Sequence, residues 1–238
     1  MTEQIVERNE FISLENINGI HLEVSRECFK KRRKFIRATK GAIKVLPPNI
    51  LNYLQKHNFT IKFVSKKYLN LGLYQDLFNK TSEELKIDGL NTENNDLKNY
   101  KKNGRAGLYI WGTKNIYVSF VSIETTLLIL HEISHFLDYN GAFDLSYDDL
   151  IKIKGDDHIN QTFRRCNDGK FPSMYVAEKY FIREAYYRAS YSEFFAETLA
   201  RYLLTKPSSN FLNRILFPFS KKKYIKTYEY MEDFVKNF

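Results

Sequence analysis

His131-Glu132-Ile133-Ser134-His135 reads H-E-x-x-H and lies in an apolar stretch that predicts a mostly buried helix. Because an α-helix turns once in 3.6 residues, side chains four positions apart share one face, and His131 and His135 can direct two imidazoles toward one point. Glu132 can reach a metal-bound water but is poorly placed to be a ligand on that face. The pattern therefore predicts a metal site with Glu132 as a general base, against the alternative of two ordinary core or surface histidines.

A third ligand is expected, because catalytic zinc sites usually combine three protein ligands with one open position. The best candidate is Glu193, near the start of a second amphipathic helix predicted from about Ser192 to Leu204. Glu197 lies one turn further on the same face and could accept the free ring N–H of a ligand histidine. Both glutamates stand among apolar residues, where an unpaired buried carboxylate is costly. The alternative is that Ser190-x-x-Glu193 is only a helix capping box.

Two further residues are weaker candidates for this site. Asp138 follows His135 by three residues and points roughly the same way, so it could support a ligand through a hydrogen bond, or it could be an exposed aspartate at the helix end. His158 lies in a polar stretch and is a possible but unmotivated ligand. The expected cofactor is one Zn²⁺ per chain, held by His131, His135 and Glu193.

The rest of the chain predicts an α+β fold, mostly helical, with a small mixed or antiparallel sheet. Residues 1–44 are expected to form a loose lead over 1–25 and a helix over about 27–40, and residues 45–238 the metal-binding domain, unless the whole chain is one compact domain. The remaining predicted elements are a helix at 49–56, a strand at 59–64, a loop over 77–105 that is either without a helix or contains a short one at 82–86, a hairpin of 107–111 with 116–120, helical spacing at 173–187 and a helical tail at 208–238.

The hairpin also indicates where a substrate could bind. Its second strand, Ile116–Phe120, leads almost directly into the H-E-x-x-H helix and can form one wall of a cleft. An extended protein or peptide substrate could pair with the free edge of this strand through its backbone.

Composition limits the other classes of function. The chain has 238 residues, a net charge of +9 and two cysteines, Cys28 and Cys166, whose pairing the sequence leaves open. The basic cluster Lys30–Lys34 is more simply a solvated face than a nucleic-acid or membrane patch, and nucleic acid is not the favoured partner. The first residues lack the apolar core of a secretory signal, and no apolar run approaches the length of a membrane span.

His-Glu-x-x-His followed by Tyr-x6-Glu-Phe-Phe-Ala-Glu resembles the catalytic domain of anthrax toxin lethal factor and the related secreted Pro-Pro endopeptidases. The likeness covers the layout of about residues 45–235, and is specific in the two motifs. It implies a zinc metalloendopeptidase of the gluzincin type with His131, His135 and Glu193 as ligands and Glu132 as general base. It also implies that Tyr186 stabilises the oxyanion, with Tyr187 and Tyr191 as alternatives in the wrong register, and that Glu197 has a supporting role.

The resemblance further implies a toxin or effector that is secreted or delivered into a target cell, although a cytoplasmic peptidase is compatible with the lack of a visible signal. The alternative function is a catalytically inactive binding module on the same toxin-like fold. The intact set of His131, Glu132, His135, Tyr186 and Glu193 argues against that alternative.

Overall fold

A computed structural model describes residues 10–69, 106–109, 114–120, 124–138, 166, 171–181, 190–205, 219 and 221–238. Within these residues the fold is α+β and mostly helical with a small mixed sheet, which confirms the expected fold class. The strands are β1 (Phe11–Ile17), β2 (Ile20–Ser25), β3 (Thr60–Phe63), β4 (Gly107–Tyr109) and β5 (Asn115–Val118). The helices are α1 (Arg32–Val45), α2 (Pro48–Lys56), α3 (Thr125–Asp138), α4 (Phe171–Glu178), α5 (Tyr191–Thr205) and α6 (Ile225–Asn237).

The five strands form one sheet in the order β1-β2-β3-β5-β4. The two outer pairs are antiparallel, whereas β2 with β3 and β3 with β5 are parallel. Strand β2 precedes residue 44, and strand β3 follows it. Backbone hydrogen bonds within one sheet therefore connect residues 1–44 with the domain that was expected to begin at residue 45.

The expectation of a loose lead over residues 1–25 is wrong for residues 11–25. These residues form the β1–β2 hairpin, which turns at Asn18-Gly19 with φ of +47° and +78°. A tight hairpin turn needs positive φ at both central residues, and Asn-Gly is the dipeptide that adopts it most readily. A register shift between Ser13 and Asn16 interrupts the alternation of β1, which obscures the strand in the sequence.

The other described elements lie close to their predicted positions. A 3-10 turn at Arg26–Lys31 leads into α1, which continues to Val45, beyond the predicted end near residue 40. Helices α2, α3 and α5 and the β4–β5 hairpin confirm their predictions. The predicted helix at 82–86 lies outside the described residues, as do parts of the predicted helices at 173–187 and 208–238.

The sheet supports the helix that carries the motif. Phe35 of α1 stacks on Phe63 of β3 with ring centroids 4.3 Å apart, and Phe136 of α3 packs on Phe59 at 4.6 Å. On its other side α3 packs along α5. Nearly every residue of α3 is therefore buried, including His131 and Glu132, so their side chains are held in fixed surroundings.

The position of β5 in the sheet is incompatible with the strand edge that was expected to bind the substrate. β5 lies between β3 and β4 and has a hydrogen-bonded neighbour on each side, so the free edge expected at Ile116–Phe120 is wrong. In the part of the sheet that the structure describes, the edge next to α3 belongs to β4. Among the described residues, no helix is long and apolar enough to cross a membrane.

Candidate metal centre

His131 and His135 lie one turn apart on α3, and their side chains converge as the motif predicts. Their Nε2 atoms are 3.1 Å apart, and the two rings are nearly perpendicular. His131 is buried and His135 is half-buried, so the pair lies at the edge of the core rather than on an open surface.

Glu193, near the start of α5, brings a carboxylate to the same point. Its Oε2 lies 3.3 Å from Nε2 of His131 and 3.6 Å from Nε2 of His135. Oε2 is buried and accepts no well-aligned hydrogen bond from the described residues. The capping interaction is also present, since the Glu193 backbone N–H donates to Ser190 Oγ at 3.2 Å. Ser190 thus caps the helix, while the Glu193 carboxylate is directed at the histidines.

The separations of these three atoms fit a metal ion. Two ligand atoms that each lie about 2.0–2.1 Å from a tetrahedral zinc are roughly 3.3 Å from one another. The observed separations of 3.1, 3.3 and 3.6 Å match that value. The buried group of His131, His135 and Glu193 could therefore hold a metal ion without a large rearrangement.

His131 is held from behind by Glu197. Its Nδ1 donates to Glu197 Oε2 at 3.2 Å, and because a carboxylate only accepts, this contact directs the Nε2 lone pair of the neutral ring at the metal position. Glu197 Oε1 in turn accepts from Arg201 Nε at 2.6 Å, one turn along α5. Arg201 was not predicted, although its i, i+4 spacing from Glu197 is a pattern that the sequence contains.

His135 is held by a different kind of partner. Ser192 Oγ lies 3.2 Å from His135 Nδ1, and in the tautomer that leaves Nε2 free the ring N–H donates to this hydroxyl. Ser192 was also missed. Its partner lies 57 positions earlier in the chain, so no local pattern in the sequence indicates the contact.

In the metal-free protein, opposite charges on His131 and on the carboxylates of Glu193 and Glu197 attract one another. Burial lowers the pKa of His131, but the carboxylates of Glu193 and Glu197 outweigh this effect and raise the pKa to about 10. Burial raises the pKa of Glu193, whereas the two imidazoles outweigh it and hold the pKa well below its ordinary value. In the metal-free protein, the positive charge of the protonated His131 ring therefore offsets the negative charge of the Glu193 carboxylate.

The side chain of Glu132, on α3, lies against strand β4. It is buried, and burial raises the pKa of its carboxyl above the ordinary value despite the neighbouring histidines. The backbone of Tyr109, on β4, donates a hydrogen bond to this carboxylate. A buried carboxylate of raised pKa beside a group that can hold a metal is suited to accept and deliver protons.

The other candidates for the site, and the two cysteines, are either buried or partly buried in the described part of the chain or lie outside it. Asp138 is fully buried, which excludes the exposed alternative, and its Oδ1 accepts from the Cys166 backbone N–H at 2.8 Å. Tyr191 packs its ring on Tyr175 at 4.7 Å. Tyr186, Tyr187 and His158 lie outside the described residues. Cys28 and Cys166 are both buried, and they do not form a disulfide bond with one another.

Comparison with models of known protein families and with curated proteins finds no match for this chain.

Proposed function

We propose that the protein is a zinc-dependent endopeptidase that hydrolyses a peptide bond within a protein or peptide. The observation that carries this proposal is the convergence of the His131, His135 and Glu193 ligand atoms beside the buried carboxylate of Glu132. Two imidazoles and one carboxylate are a donor set that Zn²⁺ binds with a fourth position open.

The bound zinc would supply Lewis acidity, activating a water and polarising the substrate carbonyl. Glu132 then accepts a proton from the attacking water and delivers it to the leaving amine. Its raised pKa supports this role, because a general base works best when its pKa approaches the working pH. Glu197 and Ser192 keep the Nε2 atoms of the two histidines directed at one point.

We place the substrate along the outer edge of β4. This edge adjoins α3, and an extended peptide could pair with backbone groups there other than the Tyr109 N–H, which already donates to Glu132. A peptide in that position would pass Glu132, whose carboxylate contacts the β4 backbone. Secretion or delivery into a target cell, as a toxin or effector, belongs to the proposal through the family resemblance alone.

Tyr186 is proposed to stabilise the oxyanion through the family resemblance alone, in which it matches the tyrosine seven residues before the glutamate ligand. We expect Tyr186→Phe to lower kcat by roughly 10²-fold or more while KM and zinc content stay near the wild-type values. Tyr187→Phe and Tyr191→Phe are matched controls, which should retain most of the activity. An unchanged kcat in Tyr186→Phe would remove this residue from the mechanism.

The proposed function is tested by comparing wild-type protein with Glu132→Ala on a peptide library. Cleavage sites are identified by mass spectrometry, and zinc is measured in both proteins. We expect the wild type to cleave internal peptide bonds and Glu132→Ala to keep its zinc but lose turnover. Cleavage retained by Glu132→Ala would contradict the proposal, and bound zinc without any cleavage by the wild type would favour the inactive binding module instead.

A further inference from the structure

The side chain of Glu132 packs directly on a glycine of the neighbouring edge strand. A Cβ built on Gly107 of β4 would lie 2.5 Å from Glu132 Oε1, 2.8 Å from Glu132 Cγ and 2.9 Å from Leu128 Cδ1. Such distances are shorter than van der Waals contact, so any side chain at position 107 requires Glu132 or Leu128 to move. Because Glu132 is buried, its carboxylate has little room to withdraw without leaving its position.

The backbone of β4 also contacts the Glu132 carboxylate, through the N–H of Tyr109. Ser119 N–H donates to Ala106 O at 2.7 Å, and this bond places Gly107 and Tyr109 at the non-hydrogen-bonded positions opposite β5. The N–H groups of Gly107 and Tyr109 therefore point to the outer edge of the sheet. The Tyr109 N–H donates to the Glu132 carboxylate, so Glu132 contacts β4 at both Gly107 and Tyr109.

We propose that Gly107 is a positioning residue for the general base: its lack of a side chain allows the Glu132 carboxylate to lie against β4 and reach the Tyr109 N–H. This inference rests on the proposed endopeptidase function and adds a requirement of its own. Position 107 must be glycine because of the carboxylate beside it, rather than because of a turn or an unusual backbone angle.

A replacement of Gly107 should damage the site through Glu132 and leave the metal ligands in place. We expect Gly107→Ala to bind one zinc per chain like the wild type, and its kcat to fall roughly 10²-fold, in the range typical of losing a general base. Its affinity for acetohydroxamate, which chelates zinc and shares a proton with the neighbouring carboxylate, should fall about tenfold. This affinity can be measured without knowing the natural substrate.

The matched control is Gly41→Ala. Gly41 lies on α1 and faces the same helix α3, but a Cβ there would meet Thr126 atoms at 3.4 and 3.6 Å, which is close to ordinary contact. Alanine is also a better helix former than glycine, so this variant should be as stable as the wild type or more so. We expect it to keep wild-type turnover and wild-type hydroxamate affinity.

A double-mutant cycle separates positioning from general damage. If Gly107 acts through Glu132, Gly107→Ala added to Glu132→Ala should cause no further loss of hydroxamate affinity. If Gly107→Ala alone does not fold, Gly107→Ala with Leu128→Ala removes the clash with Leu128 and keeps the clash with Glu132, so the same losses are expected. Thermal unfolding and zinc content establish that each variant is folded.

The outcomes for the two proposals are distinguishable. Wild-type affinity and turnover in Gly107→Ala, or losses that add fully to those of Glu132→Ala, would overturn the positioning role while leaving the endopeptidase in place. A wild type that binds zinc and hydroxamate but cleaves no peptide would refute the function, whereas the hydroxamate cycle would still decide the role of Gly107.

Discussion

Each candidate ligand histidine is oriented through its second ring nitrogen, but the two partners differ in charge. His131 donates to the Glu197 carboxylate, and His135 contacts the Ser192 hydroxyl. We expect Ser192→Ala to weaken zinc affinity about tenfold and Glu197→Gln to weaken it more, because outer contacts of ligand histidines typically contribute 10–100-fold in affinity. Competition with a chromogenic chelator measures both.

Ser190→Ala is the matched control for Ser192→Ala. Ser190 lies two positions earlier and caps α5 by accepting a hydrogen bond from the Glu193 N–H. The described contacts of Ser190 include neither imidazole. Its loss should lower the free energy of unfolding by about 1 kcal/mol and leave zinc affinity unchanged. Equal zinc affinities of the Ser190 and Ser192 variants would show that Ser192 does not orient His135.

Protonation of His131 should make zinc binding depend on pH. In metal-free protein the pKa of this histidine is raised from 6.5 to about 10, so the ring is charged at neutral pH. Since a metal binds the neutral ring, zinc must displace a proton, and apparent affinity should rise as pH increases toward 10. Calorimetry at pH 7 in two buffers of different ionisation enthalpy should detect about one proton released from this group. Zinc binding at pH 7 without proton release would contradict the raised pKa.

The sequence predicts the residues of the site that recur at helical spacing, and misses those brought in from a distance. His131 with His135 and Glu193 with Glu197 are pairs at i, i+4, so each pair could be assigned to one helix face. The contact of Ser192 with His135 and that of Tyr109 with Glu132 depend on how α5 and β4 pack against α3. Every residue except proline has a backbone N–H, so the sequence does not indicate that the N–H of Tyr109 is a donor to the site.

At the scale of elements, a buried glutamate joins α4 to α6. Both oxygens of Glu178 accept hydrogen bonds at 3.0 Å, from the backbone N–H groups of Lys226 and Thr227 in the first turn of α6. A carboxylate there satisfies two N–H groups that have no partner within the helix and also interacts well with the helix dipole.

Glu178→Ala should therefore destabilise the fold by about 1–3 kcal/mol, because the buried N–H of Thr227 and the partly buried N–H of Lys226 lose their acceptor. Chemical denaturation of zinc-loaded protein measures the change, and zinc stoichiometry should be unaffected. Glu229→Ala is the control, since Glu229 is exposed and pairs only loosely with Lys221 at 3.5 Å. A Glu178→Ala variant as stable as the control would contradict the assigned role of this cap.

The helices and strands differ in how clearly the hydrophobic periodicity of the sequence predicts them. Helix α2 has a proline at its start and helix α5 a long periodic stretch, and the bounds of both were predicted to within a few residues. β1 was missed, because its register shift breaks the alternation on which a strand prediction depends. The Asn18-Gly19 turn was the usable signal for that hairpin.

For the whole molecule, the first 44 residues are expected to be required for folding. They contribute β1, β2 and most of α1, and Phe35 stacks on Phe63 in the common core. We expect a chain lacking residues 1–44 to be insoluble or to lack a cooperative thermal transition, because β3 and α3 would lose packed apolar surface. A soluble, zinc-binding product with a sharp transition would instead support a separate domain from residue 45.

The zinc site proposed for His131, His135 and Glu193 can be tested by measuring the metal content of the protein. Wild-type protein and Glu193→Ala are purified, supplied with zinc, freed of excess metal and analysed by mass spectrometry for zinc. We expect about one zinc per chain in the wild type and a large loss in Glu193→Ala, because three protein ligands are needed for a stable site. Equal zinc in both proteins, or none in either, would contradict it.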